Sequence, residues 1–589
     1  MRAVPWPDPD PVVAAAIRVK YRGWKAPLAV TVRDRLGQWM ADELFAAAFG
    51  VRGRPGWPPS RLALVTVLQM AENLTGRQAA EAVRTRLDWQ YALGLGLDDP
   101  GFDHSVLSEF RGRVAGHGLE QAALDALLAK LAAEGLVKAG GKQRTDSTHV
   151  IAAVRALHMI ELAGESVRAA LEALAASCPG WLAQRICVAD WTRRYGARID
   201  SWRLPAGQAE RDRLTVEFAR DGYGLVRACY EDGAPGWARE LPAVQTLRMV
   251  LLQNFSLTIS EHGQEVIRRR EPEGKHECDG VPPAHIKISS PYDPDARWGK
   301  KDDTLWLGYK LHISETCEDP PGCGCPPRPA SPGRRRCRHD VRPNLITHVA
   351  TTDATVPDTA MTIPVSAALA RRKLAPARHY LDAGYASARN MLQAAALSGT
   401  ILVTPLLADT SPQARAGHGY DRSAFTIDYD TRTITCPQGA TSATWTPTRL
   451  RGTEVIAIRF RVTTCRPCPV RQLCTTATRT GRQLIIPPRE LHDVITQARA
   501  QQATGHWHDD YKRRAGAEAT ISQAITLTGC RRTRYRSLAK TRLEHTYLAI
   551  ALNLYRLDAY WNDTPIDRKR TTHLARLDLS LTQPAQSPN

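Results

Sequence analysis

Three acidic residues stand in settings that could do chemistry. Tyr511-Lys512-Arg513-Arg514-Ala515-Gly516-Ala517-Glu518 reads as helix, with Tyr511, Arg514 and Glu518 at steps of three and four along one face. Asp146 lies in Arg144-Thr145-Asp146-Ser147-Thr148, and Asp382 in Tyr380-Leu381-Asp382-Ala383-Gly384-Tyr385, each ending a short extended segment. Taken singly, each has a plainer reading: a turn or cap aspartate, a strand-end turn, and an intrahelical ion pair. Taken together they are a set of hard oxygen donors, suited to Mg²⁺, which needs few protein ligands.

These motifs in this order resemble the DDE transposases of bacterial insertion sequences, in the branch with a Tyr-x2-Arg-x3-Glu signature, met here by Tyr511, Arg514 and Glu518. The resemblance runs from about Gly53 to Tyr560. Ile525 stands seven residues beyond Glu518, where that signature often carries Lys. The resemblance implies an α/β RNase H-like catalytic core, a mixed sheet flanked by helices, with an all-α N-terminal domain, a helical insertion and a β-rich insertion. It implies Asp146, Asp382 and Glu518 as catalytic ligands of two Mg²⁺ or Mn²⁺ ions, Asp146 bridging both. It also implies double-stranded DNA as partner, at element ends and target, a homodimer in the active complex, and a cytoplasmic, nucleoid-associated place. Two rival readings remain: a regulator that has kept the fold and lost the chemistry, and a nuclease without strand transfer.

The elements that must position these residues follow from chain patterning. At 589 residues with 43% hydrophobic content, several folding units are expected and wholesale disorder is not. Seventy-nine Lys and Arg against 60 acidic residues leave a charge of +19, which favours a polyanionic partner. Neither a basic-then-apolar leader nor an apolar run of 18 residues is present, so no membrane association is expected.

Residues 1–140 are expected to form a helical DNA-binding domain. Leu62, Val65, Leu68 and Gln69 share a face, Thr75 and Gln78 form a capping box for a second helix, and Val106, Leu107, Phe110 and Val114 mark a third. A helix-turn-helix and a plain bundle both fit. Residues 141–150 give the first core strand and 151–270 a helical insertion without strand alternation. The rest of the core spans 271–420, opening on a Pro- and charge-rich loop, and 421–487 is a β-rich Cys-containing insertion. Residues 488–565 return to helix, with Leu543, Tyr547, Ile550, Leu554 and Leu557 on one amphipathic face, and 566–589 is a tail. Asp353 and Asp358 also follow a strand and read as loop and helix cap.

Six cations with no acid occupy Cys530 to Arg542, so Arg531, Arg532, Arg534, Arg536, Lys540 and Arg542 are candidate DNA contacts beside Tyr511 and Arg514. Thirteen cysteines, partly clustered, suggest reduced thiols or metal ligands rather than a disulfide frame. Cys436, Cys465, Cys468 and Cys474 offer a structural Zn²⁺ site, with unligated thiols as the alternative. Cys317, Cys323, Cys325, Cys337 and His339 form a second group, in a Pro-, Gly- and Arg-rich loop.

Overall fold

The computed structural model describes residues 5–50, 56–200, 202, 204–271, 279–318, 342–407, 409 and 411–564. Of the second cysteine group only Cys317 is among them; Cys323, Cys325, Cys337, His339 and the tail from 566 lie outside the described residues.

The strands, in chain order, begin with β1 (Lys142–Ile151), the hairpin β2 (Phe255–Ile259) and β3 (Glu265–Arg269), and β4 (Arg297–Lys301). There follow β5 (Thr304–Thr316), β6 (Ile346–Asp353), β7 (Arg378–Leu381) and β8 (Ile401–Val403). All but the hairpin strands make one mixed sheet. β1 lies at its centre, antiparallel to β5 and parallel to β7, and β8 continues parallel beyond β7. The far edge of β5 pairs antiparallel with β4 over its first half and with β6 over its second. β5 is long and apolar enough to be buried on both faces from Trp306 to Leu311 except at Lys310.

The helix Leu538–Trp561 was expected to be amphipathic, yet every residue from Leu543 to Leu554 is buried. It threads between β6 and the N-terminal helices Pro59–Ala71 and His104–Gly116, so it has no solvent side over that stretch. One hydrophobic core therefore joins Leu68, Phe110, Tyr309, Ile313, Tyr547 and Ile550. Thr75 and Gln78 form the expected capping box at the start of the helix Gly76–Thr85.

The segment after β1 folds around a core of its own, with Val167, Leu174, Phe218 and Leu247 drawn from the helices Met159–Ser177, Gln208–Ala228 and Pro242–Asn254. The hairpin β2–β3 is a departure from the all-helical expectation. Its five-residue strands are too short for a clear period-two signal, and Gly263 at φ +73° supplies the turn. The described part of the Pro-rich stretch that follows, residues 279–296, is irregular but fastened. Leu157 donates its N–H to the Ser289 carbonyl at 3.0 Å, and the Tyr309 hydroxyl donates to Asp293 at 2.6 Å. Five further short strands between Thr426 and Ile486 enclose a small core of Phe425, Ile434, Ile458 and Ile486.

Candidate active site

Asp146 and Asp382 become neighbours because β1 and β7 run parallel with Thr145 beside Leu381, so Asp146, which lies within β1 rather than at its end, falls level with Asp382 just past the end of β7. Asp146 is 6% exposed. Its carboxylate accepts from the Ser147 N–H at 2.8 Å. Burial holds its pKa above the ordinary carboxylate range, nearby Arg514 works against that, and Asp382 adds to it. Asp382 caps the turn Ala383–Tyr385 by accepting from the Gly384 N–H, and the Thr404 hydroxyl donates to its backbone carbonyl at 2.8 Å.

Glu518 arrives from a helix that is interrupted where the sequence reads as continuous. The helix Gly505–Tyr511 passes through a 3-10 turn, Lys512–Ala515, before the helix Gly516–Thr528 begins. The cause is Arg144, whose guanidinium donates to the Arg513 carbonyl at 2.8 Å. It also fills the space a side chain at position 516 would need, since a Cβ on Gly516 would lie 2.0 Å from Arg144 Nη1. Glu518 consequently sits in the first turn of a new helix, where the helix dipole favours a carboxylate.

The three carboxylates meet at one cation. Arg514 Nη2 lies 2.8 Å from Asp146 Oδ2 and 3.8 Å from Asp382 Oδ2, while Nη1 lies 2.8 Å from Glu518 Oε1. Its Nε is buried with no hydrogen-bond partner among the described residues. The guanidinium thus occupies the point on which the acids converge. No group of three or more His, Cys, Asp or Glu among the described residues is arranged as a metal site.

A fourth acid lies beside them. Asp358 opens the helix Asp358–Arg371, close to the cap position expected of it, but it also accepts from the Ser147 hydroxyl at 2.9 Å and pairs with Lys310 at 3.1 Å. A Cβ on Gly384 would lie 3.0 Å from Asp382 Oδ1 and 3.4 Å from Asp358 Oδ2. Only the spatial return of this helix to β1 reveals the proximity; in sequence Asp358 looks like any cap. Asp353 stays apart, closing its own turn onto the Thr355 N–H.

At the rim Tyr511 donates to the Leu381 carbonyl at 3.2 Å and stacks on Trp507, with ring centroids 4.8 Å apart. Burial, with Asp382 and Asp146 adding to it and Arg514 opposing, pushes its hydroxyl up to about 12, so it stays protonated at neutral pH. Trp507 was not singled out from sequence.

The candidate DNA contacts divide. Arg531 is turned onto β1, donating to Thr148 Oγ1 at 3.0 Å and the His149 carbonyl at 2.8 Å. Arg534 fastens the N-terminal helices, donating to the Leu74 carbonyl at 2.6 Å, the Thr528 carbonyl at 3.3 Å and Asn73 Oδ1. Arg532, Arg536, Lys540 and Arg542 are exposed, with Arg536 lying over the Tyr292 ring. Cys436, Cys465, Cys468 and Cys474 line a common cavity in the β-rich unit, away from the acids.

Two family models match the chain. One, described as "Transposase DDE domain", covers residues 435–558 and so includes Tyr511, Arg514, Glu518 and the four cysteines, but neither aspartate. The other, "Transposase domain (DUF772)", covers residues 28–113 in the N-terminal helices. No curated protein and no solved structure matches.

Proposed function

We propose, for a chain that belongs to the insertion-sequence DDE transposases, that it binds its element's terminal inverted repeats and cuts and joins DNA strands at Asp146, Asp382 and Glu518. The observation that carries this reading is the convergence of three carboxylates, from positions 146, 382 and 518, on the single guanidinium of Arg514. An RNase H-like core is supported by strand order. Counted along the chain without β4 and the hairpin, the sheet runs third, second, first, fourth, fifth, with the last two parallel to the first.

The donor set fits a hard divalent cation, being all carboxylate oxygen, and a cation of the protein's own already sits among these acids. Asp146, Asp382 and Glu518 would hold two Mg²⁺ or Mn²⁺ ions, which when bound activate a water or 3′-hydroxyl and relieve charge on the leaving oxygen. The chain's own residues do the rest. Arg514 presents a planar fork that fits a phosphate bidentately once its carboxylates are otherwise engaged. The stacked Tyr511 and Trp507 rings offer a platform for an unpaired base beside the acids. Arg532, Arg536, Lys540 and Arg542 supply the phosphate contacts that hold the duplex, while the helix Gly76–Thr85 turns Arg77, Gln78 and Arg84 to solvent. Because two element ends must be joined to one target, the working form is a homodimer.

The test is a strand-transfer assay with the DNA ends that bound the element, a plasmid target and Mg²⁺ or Mn²⁺. Joined products that vanish in Glu518→Gln are expected. Nicked ends without joining would make the protein a nuclease, and bound but uncut DNA a regulator.

A further inference from the structure

The four cysteines of the β-rich unit take no part in the chemistry proposed above. Cys436 heads a tight turn in which the Gly439 N–H donates to the Cys436 carbonyl at 2.9 Å, with Gly439 at φ +79°. Cys465 ends one short helical turn, Val462–Cys465, and Cys474 ends another, Arg471–Cys474. Cys468 lies between them and donates its N–H back to the Cys465 carbonyl at 3.4 Å. Three segments far apart in sequence thus bring four half-buried thiols to the wall of one cavity of about 280 Å³. None of them is in a disulfide, and among the described residues no Asp, Glu or His lines that cavity. Arg482 also lines it and donates to the Cys474 carbonyl at 2.6 Å.

The surrounding unit gives a reason for a staple. Its own core amounts to seven buried side chains, from Phe425 to Ile486, with Cys436, Cys465 and Cys474 packed against them. A unit of fewer than about 70–80 residues rarely holds itself together on such a core without a metal, a disulfide or a partner. As they stand the thiols ring the cavity without closing to ligand spacing. A change of χ1 rotamer swings a cysteine sulfur about its Cα–Cβ bond without moving the backbone.

We propose that Cys436, Cys465, Cys468 and Cys474 close on one tetrahedral Zn²⁺ that staples the β-rich unit. Each thiol that binds gives up its proton to solvent, and four thiolates leave no position open for water, so the ion is structural.

The test uses the full chain purified under reducing conditions without added metal. Elemental analysis should give one zinc per chain. Exchange for Co²⁺ should give the sulfur-to-cobalt charge-transfer and tetrahedral ligand-field bands of a thiolate site. Both should vanish in Cys465→Ser and Cys468→Ser and survive in Cys317→Ser. Should the serine variants misfold, titration of the native protein with a mercurial decides the matter, releasing the zinc as these thiols are consumed. Zinc-free protein whose four thiols react freely without denaturant overturns the proposal. So does zinc that is lost in Cys317→Ser and kept in Cys465→Ser.

Discussion

Two arginine–carboxylate networks lie against the same strand, and they are built in opposite proportions. Glu315 is one carboxylate between two cations, with Arg144 Nε at 2.7 Å and Arg556 Nη1 at 2.6 Å, and the Thr520 hydroxyl donates to it at 2.7 Å. Its side chain is 1% exposed, and Arg556 spends further donors on Gln523 and the Asn344 carbonyl. Arg514 reverses the ratio: one cation among three carboxylates, with Glu518 at 66% side-chain exposure. The first network is saturated and dry, and it clamps the Glu518 helix to the sheet through Thr520 and Gln523. The second carries more acid than base at the solvent's edge. A buried pair broken on one side leaves an uncompensated charge, whereas surplus acid at an open site is what an incoming cation would complete.

The sharpest break of this comparison is a pair of isosteric changes. Glu518→Gln is expected to cut strand transfer by roughly 10³-fold, the scale of losing a group that stabilises developing charge. Its folding free energy should stay within about 0.5 kcal/mol, as for other exposed positions. Glu315→Gln should cost about 3–5 kcal/mol in denaturant unfolding, because Arg144 and Arg556 lose a buried counter-charge. Equal stability losses for the two would erase the distinction drawn between the networks.

Acid should act through a third kind of buried group. His312 and His379 are pushed down to about 4, and His348 and His545 to about 3, each mainly by burial. In the unfolded chain these imidazoles take up protons from about pH 6.5 downward. Their contribution is therefore complete above that pH and is lost as pH falls toward 4. By pH 5 the loss is about 2 kcal/mol per imidazole. Stability measured across pH 7 to 5 should fall steadily; a flat profile would mean that the imidazoles take up protons in the fold as readily as in the unfolded chain.

Arg514→Gln removes the resident cation from the acidic set. In the absence of DNA, Mn²⁺ should then bind about tenfold more tightly by calorimetry, a change worth about 1.4 kcal/mol. Unchanged affinity would show that the guanidinium does not compete with metal. The smallest effects separate the basic residues. Arg532→Ala should lower the slope of log K against log salt by about 0.9 with no loss of stability. Arg534→Ala should leave that slope alone and destabilise by about 1–3 kcal/mol, since the Leu74 and Thr528 carbonyls and Asn73 Oδ1 all lose a charged donor.

The sequence by itself determined residue types, local elements and order. The capping box at Thr75 and Gln78 and the strands carrying His312 and Tyr380 are local events, legible from neighbouring residues. The order of Asp146, Asp382 and Glu518 was enough to name them as a set. Tertiary structure decided the remainder, because contacts across hundreds of positions leave no periodic trace. The parallel register of β1 and β7 puts the two aspartates side by side, and Arg144 breaks the helix ahead of Glu518. The return of the helix Asp358–Arg371 brings a fourth acid to Ser147. Arg534, indistinguishable in sequence from Arg532, is drawn inward by acceptors at two helix ends, the Leu74 carbonyl with Asn73 Oδ1 and the Thr528 carbonyl. Which cation faces DNA and which holds the fold depends on where backbone acceptors lie in space, and that is fixed only when the chain has closed.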